Sequence, residues 1–271
     1  PLHAAVITGL DAITGPASST PLPPIPIATP NIDNDDNLTQ INFTSLFSIL
    51  SINRADTPVN FVFNAENSGT GGTTEYIFNM VLLNSTPIPW SNMRFDLSAQ
   101  TTSGGSLAAP GLDFDSPDQS TTGYSSLVFP YLMRQPTRLL WSGSTIGTGG
   151  LDSSIFTLDV PDIGTDYNIV LTLEVFTTGD LDFDGFVGIN DLNIVLANWN
   201  QNVPHGNPLA DPSNDGFVGI DDLNLILGNW NAGTPPSASA ITTPEPASLL
   251  TLSTGLLLID RCRGRRIGLN Y

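Results

Sequence analysis

Between residues 38 and 178, short apolar runs recur between turn-rich stretches, and no helical period lasts ten residues. The runs that read as strands are 41–50, 58–63, 75–83, 93–97, 127–132, 137–141, 155–160 and 167–176. The last alternates most cleanly. Ile169, Leu171, Leu173 and Val175 share one parity, while Asn168, Thr172 and Glu174 take the other. Ser68-Gly69-Thr70-Gly71-Gly72, Ser103-Gly104-Gly105 and Gly147-Thr148-Gly149-Gly150 are turn chemistry between the runs. So many short strands with glycine-rich turns predict a mainly β body over 38–178, a β-sandwich of jelly-roll or immunoglobulin-like type.

The pattern changes at residue 179, where an internal repeat begins. Asp180-Leu181-Asp182-Phe183-Asp184-Gly185-Phe186-Val187-Gly188-Ile189-Asn190-Asp191-Leu192-Asn193 is echoed by Asp211-Pro212-Ser213-Asn214-Asp215-Gly216-Phe217-Val218-Gly219-Ile220-Asp221-Asp222-Leu223-Asn224. The echo runs on to Trp199-Asn200 and Trp230-Asn231. Within each copy the apolar period becomes helical. Leu192, Val195, Leu196 and Trp199 fall on one face, as do Leu223, Ile226, Leu227 and Trp230. The module 179–232 therefore reads as two loop-plus-helix units. Asn198, Asn200 and Gly228 suit the helix ends.

The flanks carry no such pattern. Residues 1–37 are rich in Pro, Thr, Ala and Ser, with an extended stretch around Pro21-Leu22-Pro23-Pro24, and read as an arm or linker. Residues 233–243 read as a second linker. Residues 244–271 form a tail: Pro244-Glu245-Pro246, an apolar stretch to Ile259, and four arginines. Thirteen apolar-rich residues, diluted by Ser248, Thr251, Ser253 and Thr254, are short of the roughly 20 that span a bilayer as a helix. A short hydrophobic helix extended by snorkelling arginines is the expected form.

Composition narrows the function classes. The 271 residues carry 26 acids and 8 bases, a net charge of −18. Every base is an arginine, and Arg261, Arg263, Arg265 and Arg266 crowd the tail. A body this acidic lacks the basic footprint that nucleic acid or an anionic membrane surface requires. Membrane contact is expected through the tail alone. The single cysteine, Cys262, excludes an intrachain disulfide. The chain begins at Pro1 with no visible signal peptide, although the sparse charge and abundant turns suit an exported protein.

Catalytic chemistry is poorly represented. His3 and His205 lie outside 38–178, so a Ser-His-Asp site is excluded from the β body. No zinc cluster is present in the sequence, and Gly147-Thr148-Gly149-Gly150 has no following helix with which to cradle phosphate. Asp113, Asp115 and Asp118 could supply the two carboxylates of a glycosidase, and Trp90 and Trp141 a sugar-stacking platform. Ordinary roles, a solvated acidic loop and core tryptophans, account for the same residues. A polysaccharide-active body, either binding module or glycoside hydrolase, is thus the alternative to a non-enzymatic one.

The repeat carries the sharper chemistry. It sets carboxylates at the first, fifth and twelfth loop positions, with Gly at the sixth, which is the spacing of a twelve-residue calcium loop. Ca²⁺ takes six to eight oxygens at about 2.3–2.6 Å, so alternate side chains must turn inward around it. The first loop would offer Asp180, Asp182, Asp184, the Phe186 carbonyl and Asp191, with water in place of a side chain at Gly188. The second would offer Asp211, Ser213, Asp215, the Phe217 carbonyl and Asp222. Neutral Ser213 leaves it one carboxylate short, so weaker binding is expected there.

With these loops and helices, residues 179–231 resemble a dockerin type I domain. The resemblance implies two bound Ca²⁺ ions and docking onto a cohesin-like domain of a partner protein. In that family, recognition uses loop positions ten and eleven, here Ile189-Asn190 and Ile220-Asp221. The G-I-N-D-L-N and L-x-N-W-N strings are similar to dockerin-like repeats of exported planctomycete-type proteins. The tail resembles a PEP-CTERM sorting signal. That implies recognition by an exosortase-type membrane enzyme and a place at the cell surface or in extracellular matrix beside polysaccharide.

Overall fold

The structure, a computed structural model, describes residues 5–19, 31–32, 43–45, 49–69, 71–114, 124–203 and 207–236. In chain order the strands are β1 (Val6–Thr14), β2 (Ala17–Ser19), β3 (Asn31–Ile32), β4 (Phe43–Ser45), β5 (Leu50–Ile52), β6 (Val59–Glu66) and β7 (Thr73–Asn84). Then come β8 (Trp90–Thr101), β9 (Ser106–Leu107), β10 (Ser125–Ser126), β11 (Tyr131–Gln135), β12 (Arg138–Ser142), β13 (Leu151–Pro161) and β14 (Tyr167–Thr177). Two short helices follow, α1 (Ile189–Ala197) and α2 (Ile220–Gly228). The protein is mainly β, and the strands form two sheets packed as a sandwich.

Sheet A runs β1-β6-β14-β8-β12-β11, with β9 added on β8. Sheet B runs β10-β13-β7-β5-β2, with β3 and β4 also on β7. Pairing is antiparallel except where β4 and β5 join β7 in parallel, so sheet B is mixed. The strand alternation resolves into burial: Ile169, Leu171, Leu173 and Val175 of β14 all point into the core. An aromatic cluster closes the space between the sheets. Phe156 of β13 stacks on Phe78 of β7 at 5.5 Å and meets Phe95 of β8, across the sandwich, at 4.9 Å. Phe63 of β6 meets Phe78 edge-on at 5.7 Å.

The sandwich recruits more of the chain than its apolar runs suggest. Residues 6–14, read from composition as part of an arm, form β1 and pair with β6 along its length. Ala5 and Ile7 enter the core, and Tyr76 Oη accepts the Ile7 N–H at 2.9 Å. Low charge with interspersed Gly and Thr hid the strand, because a bulged edge strand need not alternate strictly. Of the expected strand at 127–132, only Tyr131 and Leu132 lie in a strand, β11, and β10 precedes the expected span; of the one at 41–50, β4 and the first residue of β5 are described as strand.

The end of sheet A that carries Thr177 adjoins the loop-plus-helix module, and both belong to one compact unit reaching Pro236. The module has its own small core of Leu181, Val187, Val195, Val203, Ala210, Val218 and Ile226, against which Tyr131 of β11 packs. Among the described residues, no helix is long and apolar enough to cross a membrane. The tail 244–271, with Cys262, lies outside the described residues, as do His3, His205, Asp115 and Asp118.

Phe156 is the hub of the aromatic cluster and is fully buried. Truncating it to Ala should cost about 3–5 kcal/mol. The check is a urea denaturation of the full chain, with a lowered midpoint and an unchanged slope.

Candidate metal centre

The first loop is a tight turn built on two left-handed residues, Phe183 (φ 63°) and Gly185 (φ 82°). The second repeats it with Asn214 (φ 58°) and Gly216 (φ 88°). Glycine takes this conformation freely and Asn tolerates it; a bulky Phe does so only under constraint. The turn gathers the carboxylates of Asp180, Asp182 and Asp184, whose oxygens lie within 4.8 Å of one another. This cluster could hold a metal ion.

Asp180 is the deepest of the three, with no exposed surface. Its Oδ2 accepts the Gly185 N–H at 3.0 Å, and its Oδ1 is buried without a hydrogen-bond partner. Burial, then the charges of Asp56 and Asp191, push its carboxyl up to about 8. Asp184 is also raised, by burial first and then by Asp182. A buried carboxylate oxygen lacking a donor, beside further carboxylates, favours either a bound proton or a cation.

Asp191 stands outside that trio. Its Oδ1 accepts the N–H groups of Leu181 (2.6 Å) and Asp182 (3.2 Å), and its Oδ2 that of Gly188 (2.7 Å). It therefore ties the loop's start to the first turn of α1, at the position where an acid also suits the helix dipole. Asp222 repeats the arrangement, accepting from Ser213 N and Gly219 N.

The second loop differs at its third position. Ser213 Oγ donates to Asp211 Oδ1 at 3.1 Å, and Asp215 N reaches the same oxygen at 3.3 Å. Asp211 Oδ2 accepts the Gly216 N–H. Both oxygens of the buried aspartate thus have protein donors, where Asp180 has one. The Phe186 and Phe217 carbonyls occupy the seventh position of their loops, and each residue's N–H is bonded to the aspartate two before it.

The loops are closed reciprocally. After α1, Asn200 N and Val203 N donate to Val218 O and Gly216 O of the second loop. After α2, Asn231 N and Thr234 N donate to Val187 O and Gly185 O of the first. Gly233, assigned with Thr234 to the linker from composition, belongs here: a Cβ on it would run into the Gly185 carbonyl. Asn198 and Asn229 cap the helices through their side-chain amides, which donate to Ile194 O and Leu225 O.

The expected helix faces are rotated. Val195 and Ile226 are buried, but Leu196 and Trp199 are 50% and 42% exposed, and Leu227 and Trp230 52% and 38%. Asp191 and Asp222 must turn inward to reach their loops. Residues four further on turn in with them, and the next ones turn out. Ile189, Leu196 and Trp199, with Ile220, Leu227 and Trp230, are left as apolar surface.

The sugar platform does not form. Trp90 is fully buried with its Nε1–H donated to Thr86 Oγ1, and Trp141 is 3% exposed, so neither presents a ring to a ligand. Asp113 joins sheet B through a backbone bond from Asp159 N. One residue that sequence reading missed is Asp56. It belongs to the loop before β6, yet a Cβ on Gly185 would lie 3.5 Å from its own Cβ. Neither repeat nor spacing marks it.

No protein-family model, curated protein or solved structure matches this chain.

The raised aspartates give a signed pH dependence. A carboxyl whose folded pKa stands above its unfolded value holds its proton more tightly when folded. The stability associated with Asp180 is full below the ordinary carboxylate range and is lost as pH rises through about 8. In chelator, the melting temperature should fall between pH 5 and 8, and Asp180→Asn should flatten that fall. A slope unchanged by the substitution would sink the assignment.

Proposed function

We propose that this chain is an exported, non-enzymatic bacterial surface or matrix protein with a dockerin-like module that folds around Ca²⁺. Its body, of jelly-roll or immunoglobulin-like type, serves as a spacer. The reading is carried by Asp180: a fully buried carboxylate with one oxygen unpartnered, facing Asp182 and Asp184. Hard oxygen donors in a flexible turn select Ca²⁺ over softer metals. The first site would use Asp180, Asp182, Asp184, the Phe186 carbonyl and Asp191, whose bonded oxygens keep lone pairs for a cation. The second would use Asp211, Ser213, Asp215, the Phe217 carbonyl and Asp222. It binds more weakly, because Ser213 is neutral and its hydroxyl already serves Asp211.

The two apolar strips on α1 and α2 support a docking role. Six large apolar side chains stay at the surface of a very small module, an arrangement that suits a cohesin-like protein partner. The tail would be read by an exosortase-type enzyme, placing the protein at the cell surface, with membrane contact through that segment alone. The carbohydrate-binding form of the polysaccharide-active alternative loses its tryptophan platform, since Trp90 and Trp141 are buried; the hydrolase form rests on Asp113 with Asp115 and Asp118, the last two outside the described residues.

Calorimetric titration of the full chain with Ca²⁺ should resolve two events, the tighter one removed by Asp191→Ala and the weaker by Asp222→Ala. At a hundredfold excess over Kd, the tighter event should stabilise the fold by about 2.7 kcal/mol. Titrations unchanged by both substitutions would refute the reading.

A further inference from the structure

The two loops are near copies, yet the first is built into the sandwich. Asn92 Nδ2 of β8 donates to the Asp180 carbonyl at 3.2 Å. Thr178 N donates to Pro89 O, and Asp56 N to Val175 O. The Asp56 carboxylate accepts from Thr177 N and Thr177 Oγ1 at the very end of β14, and its Cβ borders Gly185. The ring of Phe183 lies 4.8 Å from that of Phe176 on β14, and the Arg94 guanidinium covers the same Phe176 ring at 4.9 Å. Among the described residues, the hydrogen bonds of the second loop close on itself, on residues 200–203 and on Pro208.

Phe183 is the telling residue. It holds a left-handed backbone, where its counterpart in the second loop is Asn214, a residue suited to that conformation. A phenylalanine kept in an unfavourable backbone state points to a role for its ring. Here the ring reaches the sandwich, beside the contacts of the Asp180 carbonyl and Gly185.

We propose that the first cation site is shared between module and sandwich, so that a divalent cation in the loop latches the module onto the outer face of sheet A. The inference rests on the calcium reading above. Asp56 adds a negative charge from the sandwich side, next to the loop. When Asp56 and Asp180 are both ionised, repulsion between them pushes the two parts away from each other. A cation cancels that repulsion, draws the turn tight and fixes Phe183 against Phe176. Among the described residues the second site has no such acidic neighbour from the sandwich, and it acts within the module. Asp56 is a positioning and charge-supplying residue outside the trio whose oxygens converge.

Hydrogen exchange on the full chain reads the latch, because the amides of Asp56, Thr177, Thr178 and Asp180 all lie at the joint. Ca²⁺ should slow their exchange on the order of tenfold relative to chelator. Asp191→Ala should remove the protection, and Asp222→Ala should leave it. Phe183→Asn, which suits the left-handed backbone, should keep first-site calcium binding by calorimetry while losing the protection at the joint. Asp56→Asn, equally at home at its φ of 53°, should weaken the first site several-fold at low salt. Calcium bound at the first loop with unchanged exchange at these amides would overturn the latch and leave the calcium reading standing. Protection that survives in Phe183→Asn would overturn it too. No calcium at the first loop would overturn both.

Discussion

Taking an ionised carboxylate out of water costs several kcal/mol unless donors or a cation replace the lost hydration, and Asp180 has one N–H. Much of the module is arranged around that deficit. The turn through Phe183 and Gly185 brings two more carboxylates to the same point. Asp191 binds the loop's backbone with both oxygens, which fixes the rotation of α1 about its axis. That rotation decides that Val195 is buried and that Leu196 and Trp199 are not. An electrostatic demand in the loop thus selects the apolar surface displayed by the helix.

The near-identity of the two loops makes their difference informative. A serine hydroxyl can donate where a carboxylate cannot, so exchanging Asp182 for Ser213 turns a cluster of acceptors into a partly self-satisfied turn. The second loop can hold its shape through its own hydrogen bonds, whereas the first concentrates charge. It is also the first loop that touches the sandwich, through Phe183, Gly185 and the Asp180 carbonyl. Uneven charge and uneven placement reinforce each other.

How far the sequence foretold this depends on the range of the interaction. Period-two alternation located β14, short apolar runs located β7 and β13, and the repeat located both loops and both helices, because these are local patterns. The helical period grouped Leu192, Val195, Leu196 and Trp199 but could not say which edge of that group faces inward, since Asp191 decides it. β1 was missed because its partner β6 lies some fifty residues away and its own composition resembles a linker. Gly233 was assigned to a linker for the same reason; what it meets is Gly185. Asp56 was invisible for the strongest version of it, a contact between two loops whose residues share no motif.

The crossed closure of the module has an architectural consequence. Each loop is sealed by the segment that follows the other loop's helix, so neither repeat is complete alone. A single repeat could satisfy the same bonds by pairing with a second copy of itself about a two-fold axis. Carrying both copies in one chain makes that pairing permanent. Halves joined in one chain need not be alike, and here one carries a phenylalanine and an extra acid beside a sandwich that, among the described residues, the other loop does not bond to.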